Sequence, residues 1–586
     1  MRPDARRQST VWSTDDRIIL VLLIGLGLFG LVWVRCVWLQ VVAAKRYGGM
    51  TFSQQRTTQP LLARRGTILD RNGRELAVSV FAPSVFANAR QVAQKRHVAS
   101  RLASLVGEDV QMIQRQLERD KGFVWVARQL DPTVAAPIRD LRDSAVGIIE
   151  EPKRLYPQGR LAGHLLGFTD IDQRGLEGIE LSLDGILRGH DGWRSTLHDG
   201  RGTTLIGPWT TQTLPMDGHD VVLTIDSVVQ QAAEETLAWG MERYHAKGGS
   251  IIVMAPDTGA ILALANTPSY DPNDPGSLPA DARRNRAVTD LFEPGSTFKL
   301  VTAAALVQEG RISPSEPIYC ENGAYATIGG HILHDHRPHG MLSFHDVIKF
   351  SSNIGTAKAA QRLTPDELYG YIRAFGFGRK TGIDVPGEIS GLLSPPSRWS
   401  KLSPYIVPIG QEVAVTPIQL AVMTAVVANG GLRVQPHVCD RIQTTDGRLV
   451  RAARTRPPVR VISAETATTL QDILTSVVES GTGQLATVQG LTVAGKTGTA
   501  QKLELTGRYS HSRFVASFVG FGPVPDSRFV MVVCMDEPHP LYFGGVVSAP
   551  MFKRLVEQLT SYWGLARAPL VASTVEPSAE ALARVP

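Results

Sequence analysis

The sequence predicts an α+β protein tied to a membrane by one N-terminal helix, and three observations carry that prediction. Ile18–Val34 is a run of 17 residues without a charge. Strand-like segments stand near 221–225, 250–265 and 491–536, with a largely helical stretch between them. The chain has 586 residues, too many for one ordinary domain at roughly 100–200 residues each. Strands that flank a helical insertion read as α+β rather than as repeated βαβ units.

The apolar run comes first. At a rise of about 1.5 Å per residue it extends about 25 Å, near the lower limit for a bilayer core. Arg35 can snorkel, and Cys36-Val37-Trp38-Leu39 prolongs the apolar helix, with Trp33 and Trp38 at interface depth. The anchor is therefore placed at 18–42. A signal peptide cleaved near Val42-Ala43-Ala44 and a buried core helix are the competing readings, and the length of the run favours an uncleaved anchor. Arg2, Arg6, Arg7 and Arg17 precede it, against Arg35, Lys45 and Arg46 behind it, a slight bias that puts 1–17 in the cytoplasm. No second run of comparable length follows, so the rest of the chain is expected on one side.

Composition narrows the class. With 43% hydrophobic and 20% charged residues the chain is too apolar for disorder. A mean hydropathy of −0.04 argues against several spans. A net charge of +6 without a dense basic run gives no reason to invoke nucleic acid. Four cysteines, Cys36, Cys320, Cys439 and Cys534, lie far apart and signal neither a disulfide scaffold nor a zinc knuckle.

Residues 43–216 are expected to form a non-catalytic pedestal. There TILD, the DRNG turn and ELAVSVFA suggest a hairpin, while 90–150 reads as helical and loop-like. A second domain is expected over 217–565. It opens with VVLTI (221–225), Asp226 as a helix cap, and SVVQQAAEETLAWGMERY. A hairpin follows from SIIVMA through Pro256-Asp257-Thr258-Gly259 to AILALA. Late strands are expected in LTVAGKTGTAQ, FVASFVGFG and RFVMVVCMD, and 566–586 reads as a disordered tail.

Three short motifs carry chemistry. In Ser296-Thr297-Phe298-Lys299, preceded by Glu293-Pro294-Gly295, serine and lysine share one face at a helix start. The positive helix end there favours an alkoxide, and a lysine acts as base once burial or a neighbouring cation destabilises its ammonium. No other lysine has a serine three residues before it. Ser351-Ser352-Asn353 is the one S-x-N in the chain and opens a further helical stretch, which a plain N-cap would also explain. Lys496-Thr497-Gly498-Thr499 follows the apolar LTVAG, and an edge strand bearing a lysine and threonines suits an extended anionic ligand.

The third motif has two competitors, and a histidine-rich run invites a metal reading. Lys380-Thr381-Gly382 repeats K-T-G in a glycine-rich loop without a preceding strand. Gly490 to Thr497 fits the phosphate-loop pattern of an ATPase, but an apolar strand occupies the supposed loop and no helix follows. The run His331-Ile332-Leu333-His334-Asp335-His336-Arg337-Pro338-His339 matches no hydrolase zinc spacing and reads as a solvated or hydrogen-bonded cluster.

S-x-x-K, S-x-N and K-T-G in that order resemble the serine–lysine acyl-transfer set of penicillin-recognising enzymes. With the anchor and pedestal, the chain resembles a class B penicillin-binding protein over roughly residues 55–560. RRGTILDRNGRELA, RGLEGIE, ANTPSYDPN, NRAVTDLFEPGSTFK, FSSNIG, VTPIQLA and VAGKTGTAQ carry the likeness. Glu293 before Pro294 looks like the division-type (FtsI-like) branch rather than the elongation-type branch.

The resemblance implies an antiparallel sheet flanked by helices, an all-helical subdomain, and a D,D-transpeptidase site between them. It implies Ser296 as nucleophile, Lys299 as general base, Ser351 as proton relay and Asn353 as orienting group. Lys496, Thr497, Gly498 and Thr499 would bind the substrate carboxylate, with the charge of Lys496 depressing the pKa of Lys299. No metal or organic cofactor is implied. The implied partners are peptidoglycan stem peptides and β-lactams, an FtsW-type lipid-linked-glycan polymerase, small bitopic division proteins and the membrane, where Gly25, Gly27 and Gly30 allow close helix packing. The catalytic domain would lie on the periplasmic or extracellular side. A β-lactam sensor or lactamase and a non-catalytic scaffold are the alternatives. A lactamase leaves the pedestal and anchor unexplained, and a scaffold has no reason to keep all three motifs.

Overall fold

A computed structural model of the chain describes residues 13–43, 56–119, 121–141, 143, 145–198, 204–205, 210–327, 330–504 and 508–565. Residues 1–12 of the expected cytoplasmic segment, and the expected tail at 566–586, lie outside the described residues. The chain forms two compact units, one of residues 1–63 with 190–216, the other of 64–189 with 217–586.

In the first unit, helix α1 (Thr14–Val37) starts at a capping box in which Ser13 and Asp16 exchange hydrogen bonds. Asp15 and Asp16 in its first turn suit the positive helix end. A wider turn, Trp38–Val42, prolongs it. Thr14–Val42 makes 29 residues of mean hydropathy 2.5 and is fully unburied, the one helix among the described residues long and apolar enough to cross a membrane. Arg35 stacks over the Trp38 ring at 4.6 Å, as expected of a cation leaving the apolar layer. Arg56–Leu61 pairs antiparallel with Gly192–His198 in the same unit.

The second unit holds two sheets. The first takes strands β1 (Ile68–Leu69), β2 (Glu75–Ala87), β3 (Val124–Ala127), β4 (Val146–Leu155) and β5 (Asp220–Leu223), joined by two strands from far along the chain. The DRNG turn links β1 to β2 as the sequence predicts, Asp70 accepting the N–H groups of Asn72 and Arg74. The stretch 90–150 differs from expectation, because β3 and the first half of β4 come from it and both pair with β2. Charges in EEPKRL hide the alternation of β4, and pairing along β2 supplies its order. Helix α2 (Ser227–Tyr244) follows β5, with Asp226 accepting the Val228 N–H.

The second sheet is antiparallel throughout. It contains β6 (Gly248–Met254), β7 (Ile261–Thr267), β10 (Ala494–Leu503), β11 (Tyr509–Gly522) and β12 (Phe529–Asp536), in the order β7-β6-β12-β11-β10. Strands β8 (Cys439–Gln443) and β9 (Leu449–Ala452) extend the first sheet beside β5. Between β7 and β8 lie helices α3 (Lys299–Gln308), α4 (Asn353–Ala360), α5 (Pro365–Phe375) and α6 (Pro417–Ala428). All twelve residues of α6 are buried, which suits a helix apolar on every face. Helices α7 (Ala464–Ser480) and α8 (Gly544–Thr560) complete the unit. The fold is thus the α+β arrangement expected, with β10 at a sheet edge.

Candidate active site

The three motifs converge. Ser296 lies in a tight turn, Gly295–Phe298, that runs directly into α3, so the hydroxyl stands at a helix N-terminus as the sequence predicts. Thr297 ties the turn by donating to the Pro294 carbonyl at 2.8 Å. Gly295 adopts φ +53°, and its N–H reaches the Gly410 carbonyl at 3.2 Å. A side chain is excluded on Gly410, where a Cβ would sit 2.3 Å from the Gly295 oxygen; on Gly295 a Cβ would lie a tight 3.2 Å from the Thr499 oxygen, on a left-handed backbone that already disfavours it.

Lys299 begins α3 and is fully buried. Its Nζ donates to the Ser351 carbonyl at 2.6 Å and to Asn353 Oδ1 at 2.7 Å, and reaches the Ser351 hydroxyl at 3.3 Å. Lys496 is equally buried on β10, and its Nζ lies 2.9 Å from the same hydroxyl. Ser351 therefore stands between two lysines, at a left-handed φ of +62° that turns both its carbonyl and its hydroxyl toward them.

Burial pushes the Lys299 amine down to about 7, while Asp335 and Cys320 act the other way. The sequence allows burial or a neighbouring cation as the cause, and burial is the one found; the charge of Lys496, which the resemblance implies, is not among the causes. The coupling runs in the other direction: burial and then the Lys299 charge push Lys496 well below its ordinary value. Two ammonium groups sharing one hydroxyl cannot both stay charged without water.

β10 begins at Ala494 rather than at Leu491, so Lys496 is its third residue. Thr497 bonds the Thr482 hydroxyl at 2.9 Å, and Thr499 Oγ1 accepts the Gly544 N–H at 3.0 Å. Gly498 is required by close approach: a Cβ there would lie 2.9 Å from Thr297 Cγ2 and 2.3 Å from Ser517 Oγ. The phosphate-loop alternative fails on this geometry, since residues 494–503 are an extended strand and no helix opens after Gly495.

The second K-T-G is spent elsewhere. Glu388 accepts the Thr381 and Gly382 N–H groups and the Thr381 hydroxyl, closing the loop on itself.

Sequence reasoning missed two anchoring carboxylates. Asp335, inside the histidine run, accepts the N–H groups of Asn353 and Ile354 at 2.6 and 2.9 Å and the Ser352 hydroxyl at 2.6 Å, while the His334 carbonyl takes Asn353 Nδ2 at 2.9 Å. His336 packs against Phe543 at 4.7 Å. The run thus holds the S-x-N turn, and among the described residues no group of three or more His, Cys, Asp or Glu could hold a metal. An aspartate that caps a helix from another hairpin leaves no local signal. Glu293 accepts the Glu412 N–H at 2.9 Å and the Tyr509 hydroxyl at 3.0 Å, and burial raises its pKa. It fastens the Ser296 turn to the loop carrying Gly410.

A cavity of about 810 Å³ adjoins these elements, lined among others by Phe292, Glu293, Glu412, Ala500, Gln501 and Lys502.

Residues 249–557 match the penicillin-binding protein transpeptidase domain, and 60–223 match the penicillin-binding protein dimerisation domain. The chain is 34% identical over 585 residues to the probable peptidoglycan D,D-transpeptidase PenA of Neisseria gonorrhoeae, covering 98% of each chain. It is 32% identical over 530 residues to peptidoglycan D,D-transpeptidase FtsI of Escherichia coli, covering 88% of this chain and 87% of that protein. Among solved structures it is similar to penicillin-binding protein 3 of Mycobacterium tuberculosis complexed with aztreonam, at 28% identity and a TM-score of 0.69, covering 87% of this chain and 98% of the other. With both domain types matched in order and relatives aligned over nearly its whole length, the chain belongs to the class B penicillin-binding proteins.

Proposed function

We propose that the chain is a peptidoglycan D,D-transpeptidase of the division type, working through an acyl-enzyme on Ser296. The observation that carries this reading is the pair of buried lysines meeting at the Ser351 hydroxyl beside the Ser296 turn.

Ser296 Oγ attacks the carbonyl between the two terminal D-alanines of a stem peptide. Lys299 takes its proton. A neutral amine that gives two N–H bonds to Ser351 O and Asn353 Oδ1 keeps its lone pair for this step. The N–H groups of Ser296 and Thr499 hold the oxyanion, at about 3 kcal/mol for each such donor in other enzymes. Ser351 relays the proton to the departing D-alanine, whose C–N bond breaks, and Asn353 orients Lys299 and the substrate amide. The substrate carboxylate sits at Lys496, Thr497 and Thr499, with Gly498 letting the strand pass close to the nucleophile turn. An anion there restores the charge of Lys496. The stem extends along the free edge of β10 toward the cavity beside Glu293. An amine of a neighbouring stem then attacks the ester, forming the cross-link and freeing Ser296. The acyl-enzyme trapped by a β-lactam is the same ester.

Residues 217–565 are the catalytic domain and 43–216 the pedestal that positions it. Its substrate puts the catalytic domain outside the cytoplasm. The anchor and pedestal serve an FtsW-type glycan polymerase and small bitopic division proteins.

Feeding a pentapeptide ending in D-Ala-D-Ala together with an amine acceptor tests the reaction. Equal release of D-alanine and formation of the new amide are expected. Neither product, or amide formation by a Ser296→Ala variant, would overturn the assignment.

A further inference from the structure

We propose that the cavity framed by Arg379, Lys380, Arg433 and Arg456 is a binding site for a phosphate group, separate from the transpeptidase site. These four cations come from three places in the sequence, so no basic run announces them. The fold brings them together in the lining of one cavity of about 60 Å³, beside Gly376 and Val422. That is room for about two waters, or one tetrahedral oxyanion, and too little for a base or a sugar ring.

Among the described residues none of the four forms an ion pair with a carboxylate. The guanidinium of Arg379 is held by the Arg373 carbonyl at 2.9 Å and that of Arg433 by the Ala374 carbonyl, each with further N–H groups left over. The side chains of Lys380 and Arg456 are exposed and have no hydrogen-bond partner among the described residues. Arg456 is nonetheless placed: its backbone N–H bonds Gln435 Oε1 at 3.0 Å, and its Nη2 lies 3.8 Å from where a Cβ on Gly382 would stand.

The nearby acids do not neutralise the group. Glu388 spends its oxygens on Thr381 and Gly382, and Asp384 spends both of its own on the N–H groups of Val438 and Cys439. Burial, and then the like charges of Arg373 and Arg456, push the Arg379 guanidinium below its ordinary value. A phosphate oxyanion relieves that repulsion, and guanidinium forks match its several oxygens. Lys380 thereby gains a use that the second K-T-G otherwise lacks.

The test titrates the full chain, in a non-ionic detergent at low salt, with inorganic phosphate and separately with glycerophosphoglycerol, the diester headgroup of an anionic lipid. Calorimetry should record saturable binding of at least one of them, about tenfold weaker in a Lys380→Gln, Arg456→Gln double variant. Tighter binding of phosphate names a free phosphate or monoester as the occupant, and tighter binding of the diester names a headgroup. Penicillin labelling of the variant should match that of the unaltered chain, because both residues are exposed and remote from Ser351 in hydrogen bonding. Absence of saturable binding to either probe, or binding that the double variant leaves unchanged, would overturn the proposal whatever the fate of the transpeptidase reading.

Discussion

The Asp335 carboxylate accepts the backbone N–H of Asn353 at 2.6 Å, so the helix that presents the S-x-N motif is capped by a residue 18 positions upstream. The same carboxylate raises the pKa of Lys299 against the effect of burial. One side chain therefore holds Asn353 in place and offsets part of the effect of burial on its neighbour.

Asp335→Ala should therefore cost about 1–2 kcal/mol of stability, as lost helix caps do. It should also slow acylation by about tenfold or more. Its distinguishing mark is in the pH profile. Removing the anion lowers the pKa of Lys299, so the rise of acylation with pH moves to lower pH. A variant that is merely unstable would keep the original midpoint.

In the unaltered chain, the proposed base Lys299 must be neutral to take the proton of the proposed nucleophile Ser296. Its folded pKa is depressed to about 7, so the reactive form grows as pH rises through about 7 and is complete above it. Stopped-flow acylation between pH 5 and 9 should give a rate constant rising to a plateau with that midpoint. A rate independent of pH across this window would remove Lys299 as the base.

The two K-T-G copies should separate cleanly. Lys496→Ala removes a buried group that touches Ser351, and should slow acylation by about a hundredfold or more. Lys380→Ala lies on a loop closed by Glu388 and should leave acylation as it was. Acylation kinetics of the two variants decide the matter, and the reverse order would place the carboxylate site in the wrong loop.

Two glycines of similar φ test the packing of the nucleophile turn. Gly430 at φ +76° has nothing within 4 Å of a Cβ, so Gly430→Ala carries only backbone strain of about 1 kcal/mol. Gly410 at φ +86° faces Gly295 backbone atoms that have little room to move, so Gly410→Ala should cost about 2 kcal/mol or more and lower acylation as well. Thermal unfolding and penicillin labelling of the pair give the comparison. Equal effects would mean that the turn is not held by this contact.

These contrasts mark what the sequence made legible. The Ser296 turn, the S-x-N helix start and the β10 strand were readable because each is local: a helix end, a cap and an apolar run. The long apolar helix near the N-terminus was readable for the same reason. Strand β4 was not, because its order comes from ten pairings with β2 and its own residues are charge-broken. Asp335 and Glu293 were missed as anchors because their partners lie far along the chain, and a carboxylate that bonds backbone N–H groups leaves no mark at their positions. A lowered pKa for Lys299 was expected from burial or a neighbouring cation, and burial is the cause found; which of the two acts is a property of the packed core and not of the motif.

The central claim is that Ser296 becomes acylated. Incubating the full chain with a fluorescent penicillin, digesting it and sequencing the labelled peptide by mass spectrometry tests this most directly. One labelled peptide is expected, with the added mass on Ser296, and no label in a Ser296→Ala variant of unchanged unfolding midpoint. Label on any other residue, or label that survives in that variant, would contradict it.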